Sequence, residues 1–257
     1  MAVSWDSPLA NFATSLRQTA ALKFHFTFLY DGQLIDAVRV PWHYTPVWML
    51  KTIPISVRGL TAIGLVVLIS AGIRSPRSWL HERWPDLFVL AWLLGPIAAA
   101  AILGTALYNS WRHHFFVYPA MLIVAVTGLE YLSRGRGRVL SFLLRGVLVI
   151  DAALVLSFMV RNRPFQDCYF NALSGGIREA RAKMELDYWG LSYRRALEQV
   201  LEVDSRSIIP INVADEPGKI AAAILLPEQR RRLSYVDRSR ADYFLTSYMH
   251  CRDAGQG

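Results

Sequence analysis

The stretch Tyr108–Pro119 reads YNSWRHHFFVYP and joins two long apolar segments of the chain. A connection at a membrane surface needs only a few small polar residues. This one carries an arginine, two histidines, two tyrosines, a tryptophan and an asparagine. Cationic and aromatic groups at the lipid–water boundary suit an anionic ligand. The stretch therefore predicts a binding site for an anionic group at that boundary.

Four apolar segments flank this joint, and each is long enough to cross a bilayer. They are Ile53–Ile73, Leu87–Leu107, Phe115–Leu132 and Val139–Val160. The second segment carries no charge, and as a helix it would be about 31 Å long, close to the thickness of a hydrocarbon core. Asp151 lies deep in the fourth segment and would be costly in lipid. We therefore expect it to face other helices through a hydrogen bond.

Composition divides the 257 residues, of which 53% are hydrophobic, into three units. Residues 1–52 read as an external amphipathic and interfacial segment with a helix over 8–23, residues 53–160 as the transmembrane region, and residues 161–257 as a soluble domain. The predicted fold is an α-helical membrane protein with about four transmembrane helices, followed by a small α/β extracytoplasmic domain. The net charge of +8 comes from arginines in separate loops, which favours anionic lipid headgroups over nucleic acid.

The C-terminal part alternates helical and strand patterns. Short helices are expected over 177–184, after Ser192 and after Pro217, and strands over 208–213, 233–236 and 243–248. The segment Asp215–Lys219 has one glycine and a proline where a nucleotide-binding loop needs several glycines. We therefore predict no nucleotide site in this domain.

Loop charges predict the orientation in a bacterial inner (plasma) membrane. The loops 74–86 and 133–138 together carry six arginines, whereas the short loop 108–114 carries only Arg112. When the basic residues that flank the spans on the side of loop 108–114 are included, the two sides carry similar positive charge. The positive-inside rule weights short loops, so we place the arginine-rich loops in the cytoplasm. The joint, residues 1–50 and the C-terminal domain then share the outer face.

Metal and disulfide patterns are weak. Cys168 and Cys251 have no metal-type spacing. Outside the cytoplasm they form either a disulfide or two unrelated buried thiols. A metal site built from His113, His114 and Asp187 is disfavoured, because adjacent histidines on a helix point about 100° apart.

Four motifs appear along the chain in a fixed order. They are WxYxP…KTxP at Trp42–Pro54, YNxWRH at Tyr108–His113, YFNxLxGG at Tyr169–Gly176 and DYWGLSY at Asp187–Tyr193. In combination they resemble the later half of bacterial GT-C type glycosyltransferases (family 39-like), which are related to protein mannosyltransferases and aminoarabinose transferases. The resemblance implies a donor sugar on a polyprenyl phosphate, transfer to an acceptor hydroxyl on the outer face, and cationic residues that hold the phosphate leaving group.

The resemblance covers most of the chain but lacks one part. The family's first external loop, which carries the catalytic acidic pair, has no counterpart here. We therefore expect the C-terminal half of such an enzyme, which is either a fragment or one half of a split enzyme whose other half a second chain supplies. No cofactor is identified from the residues, and a divalent metal in a complete enzyme is left open.

Arg112 leads the candidate site residues, because a guanidinium can grip phosphate oxygens bidentately. His113 or His114 can donate a hydrogen bond or a proton, and Lys51 could reach the same plane. Glu185 and Asp187 could bind sugar hydroxyls. The remaining candidates for substrate contact are Trp42, Tyr44, Tyr108, Asn109, Asn171 and Trp189.

Structural roles compete with each of these assignments. Arg112 can be an ordinary headgroup anchor, and the histidines can make interfacial packing or structural hydrogen bonds. Trp42 and Tyr44 fit an interfacial aromatic belt. Asp187 can cap a turn, with Tyr188 and Trp189 packing the domain against the membrane part, and Asn171 with Gly175 and Gly176 fits turn chemistry.

Two functions compete at the level of the whole chain. The first is a partial membrane glycosyltransferase. The second is a non-catalytic membrane module that binds polyprenyl phosphate or scaffolds a partner chain. A small transporter is disfavoured, because four spans with one buried acid show no internal repeat.

Overall fold

The computed structural model describes residues 7, 10, 11, 14, 25–134 and 137–247. The helix predicted over 8–23 falls largely outside the described residues. The first described element is an antiparallel hairpin of β1 (Thr27–Tyr30) and β2 (Gln33–Asp36). Asp31 and Gly32 form the turn between them, with φ angles of 48° and 80° in the left-handed region that such two-residue turns require. These two strands are not predicted from the sequence.

Helices make up most of the remaining chain to residue 161. They are α1 (Tyr44–Thr52), α2 (Ile55–Arg74), α3 (Pro76–His81), α4 (Trp84–Leu103), α5 (Tyr118–Ser133) and α6 (Gly137–Arg161), with a 3-10 helix Arg112–Val117 before α5. Within the described residues four helical segments are long and apolar enough to cross a membrane: Ile55–Arg74, Trp84–Leu103, Arg112–Ser133 and Gly137–Arg161. This confirms the predicted number of helices that are long and apolar enough to span a membrane.

The second span ends earlier than the sequence predicts. It stops at Leu103, four residues before Leu107, because Gly104 takes a left-handed conformation with φ of 60° and caps the helix. It also begins earlier, at Trp84, where a proline at the start of the helix costs no hydrogen bond. The joint is therefore longer than predicted and begins at Gly104.

Helices α2 and α5 approach closely through two glycines. A methyl group built at Gly64 would overlap the carbonyl oxygen of Val124, and one built at Gly128 would overlap that of Leu60. Thr61 adds a side-chain hydrogen bond across the same interface, to the carbonyl of Met121 at 3.4 Å. Small residues that let two backbones touch are the usual basis of helix association in lipid.

Helix α6 packs more loosely than the other three spans, and none of its residues is buried. Asp151 ties it to α2, since its carboxylate accepts the amide of Ser56 at 2.9 Å and also the hydroxyl of the same serine. This confirms the expectation that Asp151 faces another helix through a hydrogen bond. It also places a carboxylate at the positive end of α2.

The C-terminal part contains the predicted small sheet. Its strands β3 (Ile209–Val213), β4 (Leu233–Tyr235) and β5 (Tyr243–Leu245) are parallel in the order β4-β3-β5. Its helices are α7 (Gly176–Lys183), α8 (Leu191–Val203), α9 (Glu216–Ala221) and α10 (Pro227–Arg231). Cys168 is buried, which raises the pKa of its thiol to about 12, and Cys251 lies outside the described residues.

Two hydrophobic cores organise these elements. The first joins the hairpin and α1 to the spanning helices and to the segment that follows α6, through residues such as Phe28, Tyr44, Val117, Phe170 and Met184. The second lies between the small sheet and α8, around Tyr193, Leu197, Ile209 and Ile211. The chain from 165 to 186 therefore packs on the membrane helices, although the sequence analysis groups it with the soluble domain, a division that stays a prediction.

Both the joint and the C-terminal part lie at one end of the helical bundle. Trp111 donates its ring N–H to the Thr52 hydroxyl at 2.9 Å, and Asn171 donates its amide to the Ile53 carbonyl at 2.9 Å. The start of α2, the joint and the chain beyond α6 therefore meet at this end of the bundle. The side of the membrane on which this end lies stays a prediction.

The glycine contact between α2 and α5 can be tested by adding a single methyl group. We expect Gly64→Ala and Gly128→Ala each to lower the free energy of unfolding by about 1–3 kcal/mol, because the helices must separate. Gly59→Ala is the matched control, since it lies on α2 with open space around it. It should be neutral or slightly stabilising. Thermal unfolding in detergent measures all three, and equal midpoints for Gly64→Ala and Gly59→Ala would contradict the contact.

Candidate functional site

The backbone of the joint is strained at two consecutive residues. Asn109 and Ser110 have φ angles of 57° and 65°, in the left-handed region that costs a residue with a side chain roughly 1–2 kcal/mol. The Ser110 amide donates to Oε1 of Glu185 at 2.7 Å. Strain of this kind persists only where the surroundings fix it, and it clusters at functional sites.

Glu185 is held from three directions. Its own amide donates to the Leu29 carbonyl at 2.8 Å, so that strand β1 places the residue. Its Oε1 accepts the Tyr44 hydroxyl at 3.1 Å as well as the Ser110 amide. The side chain is only 2% exposed. Burial raises the pKa of Glu185 from 4.5 to about 7, and the Ser110 amide, the Tyr44 hydroxyl and the charge of Arg112 limit the rise.

Arg112 follows the strained pair and begins the 3-10 helix. Its guanidinium carbon lies 4.9 Å from the ring centroid of Tyr108 and 5.6 Å from that of Trp189. Among the described residues no carboxylate comes within 4.0 Å of this guanidinium. Two aromatic faces thus hold the cation while its N–H groups keep no acidic partner in the described part of the chain.

The two histidines of the joint diverge. His113 packs its ring on Tyr108, with centroids 4.9 Å apart, and stays exposed beside Arg112. His114 is 5% exposed, and its Nδ1 lies 3.3 Å from the Thr45 hydroxyl. His113 is thus placed with the candidate site, whereas His114 makes the structural hydrogen bond that the sequence analysis weighs against a donor role.

Three N-terminal candidates lie in different surroundings. Tyr44 is fully buried and reaches the site through Glu185. Trp42 is 73% exposed and contacts His43 edge-on. Lys51 lines a pocket of about 260 Å³ with Lys183 and other residues of the chain beyond α6. None of the contacts found among the described residues joins the side chain of Trp42 or Lys51 to Arg112.

Asn171 and Asp187 both hold backbone. The Asn171 amide donates to the carbonyls of Leu50 and Ile53 at 2.8 and 2.9 Å, which secures the end of α1. The Asp187 carboxylate accepts the amides of Leu191 and Ser192 at 2.7 and 2.8 Å, and it also accepts the Ser192 hydroxyl. It therefore caps α8, as the structural alternative predicts. Trp189 follows two residues later and stays 57% exposed over Arg112.

Asp167 is not predicted from the sequence, and Glu185 is predicted only as an acid that could bind sugar hydroxyls. Both oxygens of Asp167 are inaccessible to solvent, and burial together with the charge of Asp187 raises the pKa of this carboxyl. The available signal was an acid surrounded by aromatic residues, as in Phe165–Phe170. Such an acid is expected to be shielded where the chain returns to a membrane boundary.

The described residues of the site offer few groups that could bind a metal ion. Within the part of the chain that the structure describes, no three His, Cys, Asp or Glu side chains are grouped to hold a metal ion. His114 is turned towards Thr45 and Asp187 is occupied by α8. The divalent metal that the resemblance leaves open for a complete enzyme stays a prediction.

The protonation of Glu185 gives a test of this geometry. The folded state binds this proton more tightly than the unfolded chain, because the folded pKa is raised. The free energy of unfolding should therefore fall as pH rises from about 4.5 to about 7. A Glu185→Gln variant stays neutral and lacks this loss, so its stability relative to the unchanged protein should increase by about 3 kcal/mol across that window. Denaturant unfolding at several pH values measures the difference, and a constant difference would contradict the buried titration.

Comparisons with family models, with curated proteins and with solved structures find no match to this chain. The resemblance to membrane glycosyltransferases therefore stays a prediction that rests on the four sequence motifs. The geometry of Arg112, Trp189 and Glu185 is described from the chain itself.

Proposed function

We propose that this chain binds the phosphate of a polyprenyl-phosphate sugar at Arg112, as the C-terminal part of a membrane glycosyltransferase that transfers the sugar to an acceptor hydroxyl. The observation that carries the proposal is a guanidinium held between Tyr108 and Trp189 at the end of four apolar helices. That cation has no carboxylate partner among the described residues. An anionic lipid headgroup is the ligand that this position and charge favour.

The chemistry of sugar transfer gives the cation a role. A departing polyprenyl phosphate gains negative charge as the glycosidic bond breaks. A guanidinium that already points at the phosphate stabilises that charge without reorganising. The aromatic rings on both sides lower the entropy that the long side chain loses on binding and shield the ion pair from water. His113, exposed beside Tyr108, is the neighbouring group that can donate a further hydrogen bond.

A non-catalytic binding module is the second candidate, and one observation favours it. A transfer reaction needs a base for the acceptor hydroxyl. Asp187 is fully engaged in capping α8, and Glu185 is buried under Tyr44 and Ser110. The catalytic carboxylate of a transfer reaction would then have to come from outside the described residues. Both candidates require the same phosphate site.

The membrane and orientation belong to the same proposal. We place the chain in a bacterial inner membrane, with the Arg112 end and the small α/β unit outside the cytoplasm. The support is the arginine excess in loops 74–86 and 133–138 at the other end of the helices. Polyprenyl-linked sugars used on the outer face would reach Arg112 directly from the lipid.

Arg112 can be tested by substitution in lipid nanodiscs that contain polyprenyl phosphate. We expect Arg112→Ala to weaken binding at least ten-fold, because a charge-assisted bidentate contact is lost. Arg112→Lys should recover only part of it. Arg161→Ala is the matched control, since Arg161 is an exposed arginine at the end of α6 on the same side of the bundle. Similar losses for Arg112→Ala and Arg161→Ala would leave only general attraction to the headgroups and would refute the site.

A transfer assay with the same preparation separates the two candidates. Release of polyprenyl phosphate from a sugar-bearing donor, measured for the chain alone and with a supplied N-terminal half, reports the reaction. Transfer by either preparation supports the enzyme. Tight binding with no transfer in both preparations supports the binding module.

The orientation is tested with single cysteines in a background that lacks Cys168 and Cys251. Ser207→Cys places a thiol on the exposed surface of the small α/β unit, and Ser75→Cys places one at the opposite end of α2. An impermeant maleimide added to intact spheroplasts should label Ser207→Cys and spare Ser75→Cys. The reverse pattern would invert the topology.

A further inference from the structure

The small parallel sheet of the C-terminal part has a cleft at the carboxyl ends of strands β3 and β4. The cleft has a volume of about 470 Å³, and it is lined by residues from both strand ends, from α9 and from the 3-10 helix Arg238–Arg240. Parallel α/β sheets bind ligands outside the carboxyl ends of their strands, in crevices of this size. The cleft shares no lining residue with the surroundings of Arg112 and is therefore a separate candidate site.

Packing and hydrogen bonds fix the walls of the cleft. A methyl group built at Gly218 on α9 would lie 2.7 Å from the Cβ of Val213, so α9 rests directly on the end of β3. The Tyr235 hydroxyl donates to the Gly218 carbonyl at 3.4 Å, and the Asn212 amide donates to the Val236 carbonyl at 2.7 Å. The two strand ends and α9 are thus tied to one another around the cleft.

Three charged side chains line the cleft, namely Lys219, Asp237 and Arg240. Among the described residues no ion pair within 4.0 Å includes Asp237 or Arg240. Lys219 lies 4.0 Å from Glu216, and such a long contact between exposed groups is weak. Asp237 precedes the 3-10 helix, but its side chain does not cap it. The cleft therefore presents two cations and one carboxylate that do not neutralise one another.

We propose that this cleft binds a soluble phosphate monoester that also carries hydroxyl groups. A phosphate monoester bears nearly two negative charges, which matches the two cations. The guanidinium of Arg240 can hold two phosphate oxygens, and the ammonium of Lys219 can hold a third. The carboxylate of Asp237 repels a further anion and accepts hydrogen bonds from hydroxyl groups.

The sequence of the same region disfavours a nucleotide as the ligand. The segment Asp215–Lys219 has one glycine and a proline, whereas loops that cradle nucleotide phosphates need several glycines. A small polyol phosphate needs only the side chains that line the cleft. The proposal does not depend on the function proposed for Arg112.

Two probes separate the phosphate contacts from the hydroxyl contacts. Methyl phosphate has no free hydroxyl on its carbon part, and glycerol 3-phosphate has two. Calorimetric titration of the full chain in nanodiscs of a zwitterionic lipid measures both affinities, in an Arg112→Ala background so that the Arg112 site does not contribute. We expect glycerol 3-phosphate to bind with a dissociation constant below about 1 mM, and about five-fold more tightly than methyl phosphate.

Substitutions within and beside the cleft test the assigned residues. Arg240→Ala should weaken both probes at least ten-fold, because a charge-assisted contact is lost. Arg238→Ala is the matched control, since Arg238 belongs to the same 3-10 helix, packs on Phe244 at 4.2 Å and does not line the cleft. It should change either affinity less than two-fold. Asp237→Ala should bring the two affinities close together without weakening methyl phosphate.

The outcomes decide each part of the proposal. Similar losses for Arg240→Ala and Arg238→Ala mean general attraction between anions and basic residues, and they overturn the site. Equal affinities for the two probes overturn the hydroxyl contacts at Asp237. The absence of saturable binding by either probe refutes the whole proposal. The comparison of the two probes needs no substitution in the cleft, so it remains decisive even if a variant does not fold.

Discussion

The hydrogen bonds accepted by one buried carboxyl oxygen, Oε1 of Glu185, connect parts of the chain that are far apart in sequence. Tyr44 reaches it from α1, Ser110 reaches it from the joint, and strand β1 fixes the backbone of Glu185 itself. A group with this many fixed neighbours cannot move without releasing all of them. Because Ser110 belongs to a strained pair, the carboxyl also determines the direction in which the joint leaves α4 and enters the 3-10 helix.

The position of Arg112 depends indirectly on the hydrogen bonds that Glu185 accepts. It lies two residues beyond Ser110, so the left-handed conformation of Asn109 and Ser110 sets where its side chain begins. Tyr108 on one side and Trp189 on the other then hold the guanidinium. The close glycine contact between α2 and α5 supplies a rigid base for this arrangement, since α5 continues directly from the 3-10 helix. Helix packing and the strained backbone of the joint thus both determine the position of Arg112.

Hydrophobicity made much of this fold predictable. The four spans are uninterrupted apolar runs, and their number follows from length and composition alone. Asp151 was predicted to face a helix because lipid excludes a carboxylate, and it binds Ser56. The three strands of the small sheet follow from short runs of aliphatic and aromatic residues between turns. The nearness of Arg112 to Tyr108 and Trp189 agrees with the motifs that singled them out.

Other features depend on contacts between distant residues, which a single sequence does not specify. The strands β1 and β2 are only four residues each, and β1 is completed by a contact with Met184, so their local pattern is too short to identify. The early end of α4 depends on the left-handed conformation of Gly104, which cannot be predicted from the apolar segment around it. Glu185 looks like any acid between two turns, and its burial follows only once Tyr44 and Ser110 arrive from elsewhere.

The site keeps opposite charges close without letting them neutralise each other, and the tethering of both side chains explains how. Glu185 is fixed through its Oε1, which accepts the Tyr44 hydroxyl and the Ser110 amide. Arg112 is fixed by two aromatic faces and makes no ion pair within the described chain. Two free partners in a shielded place would collapse into a salt bridge, because the attraction between unit charges grows as water is excluded. Their separation leaves the Arg112 guanidinium without an ion pair among the described residues, while the Glu185 carboxyl stays buried behind the joint.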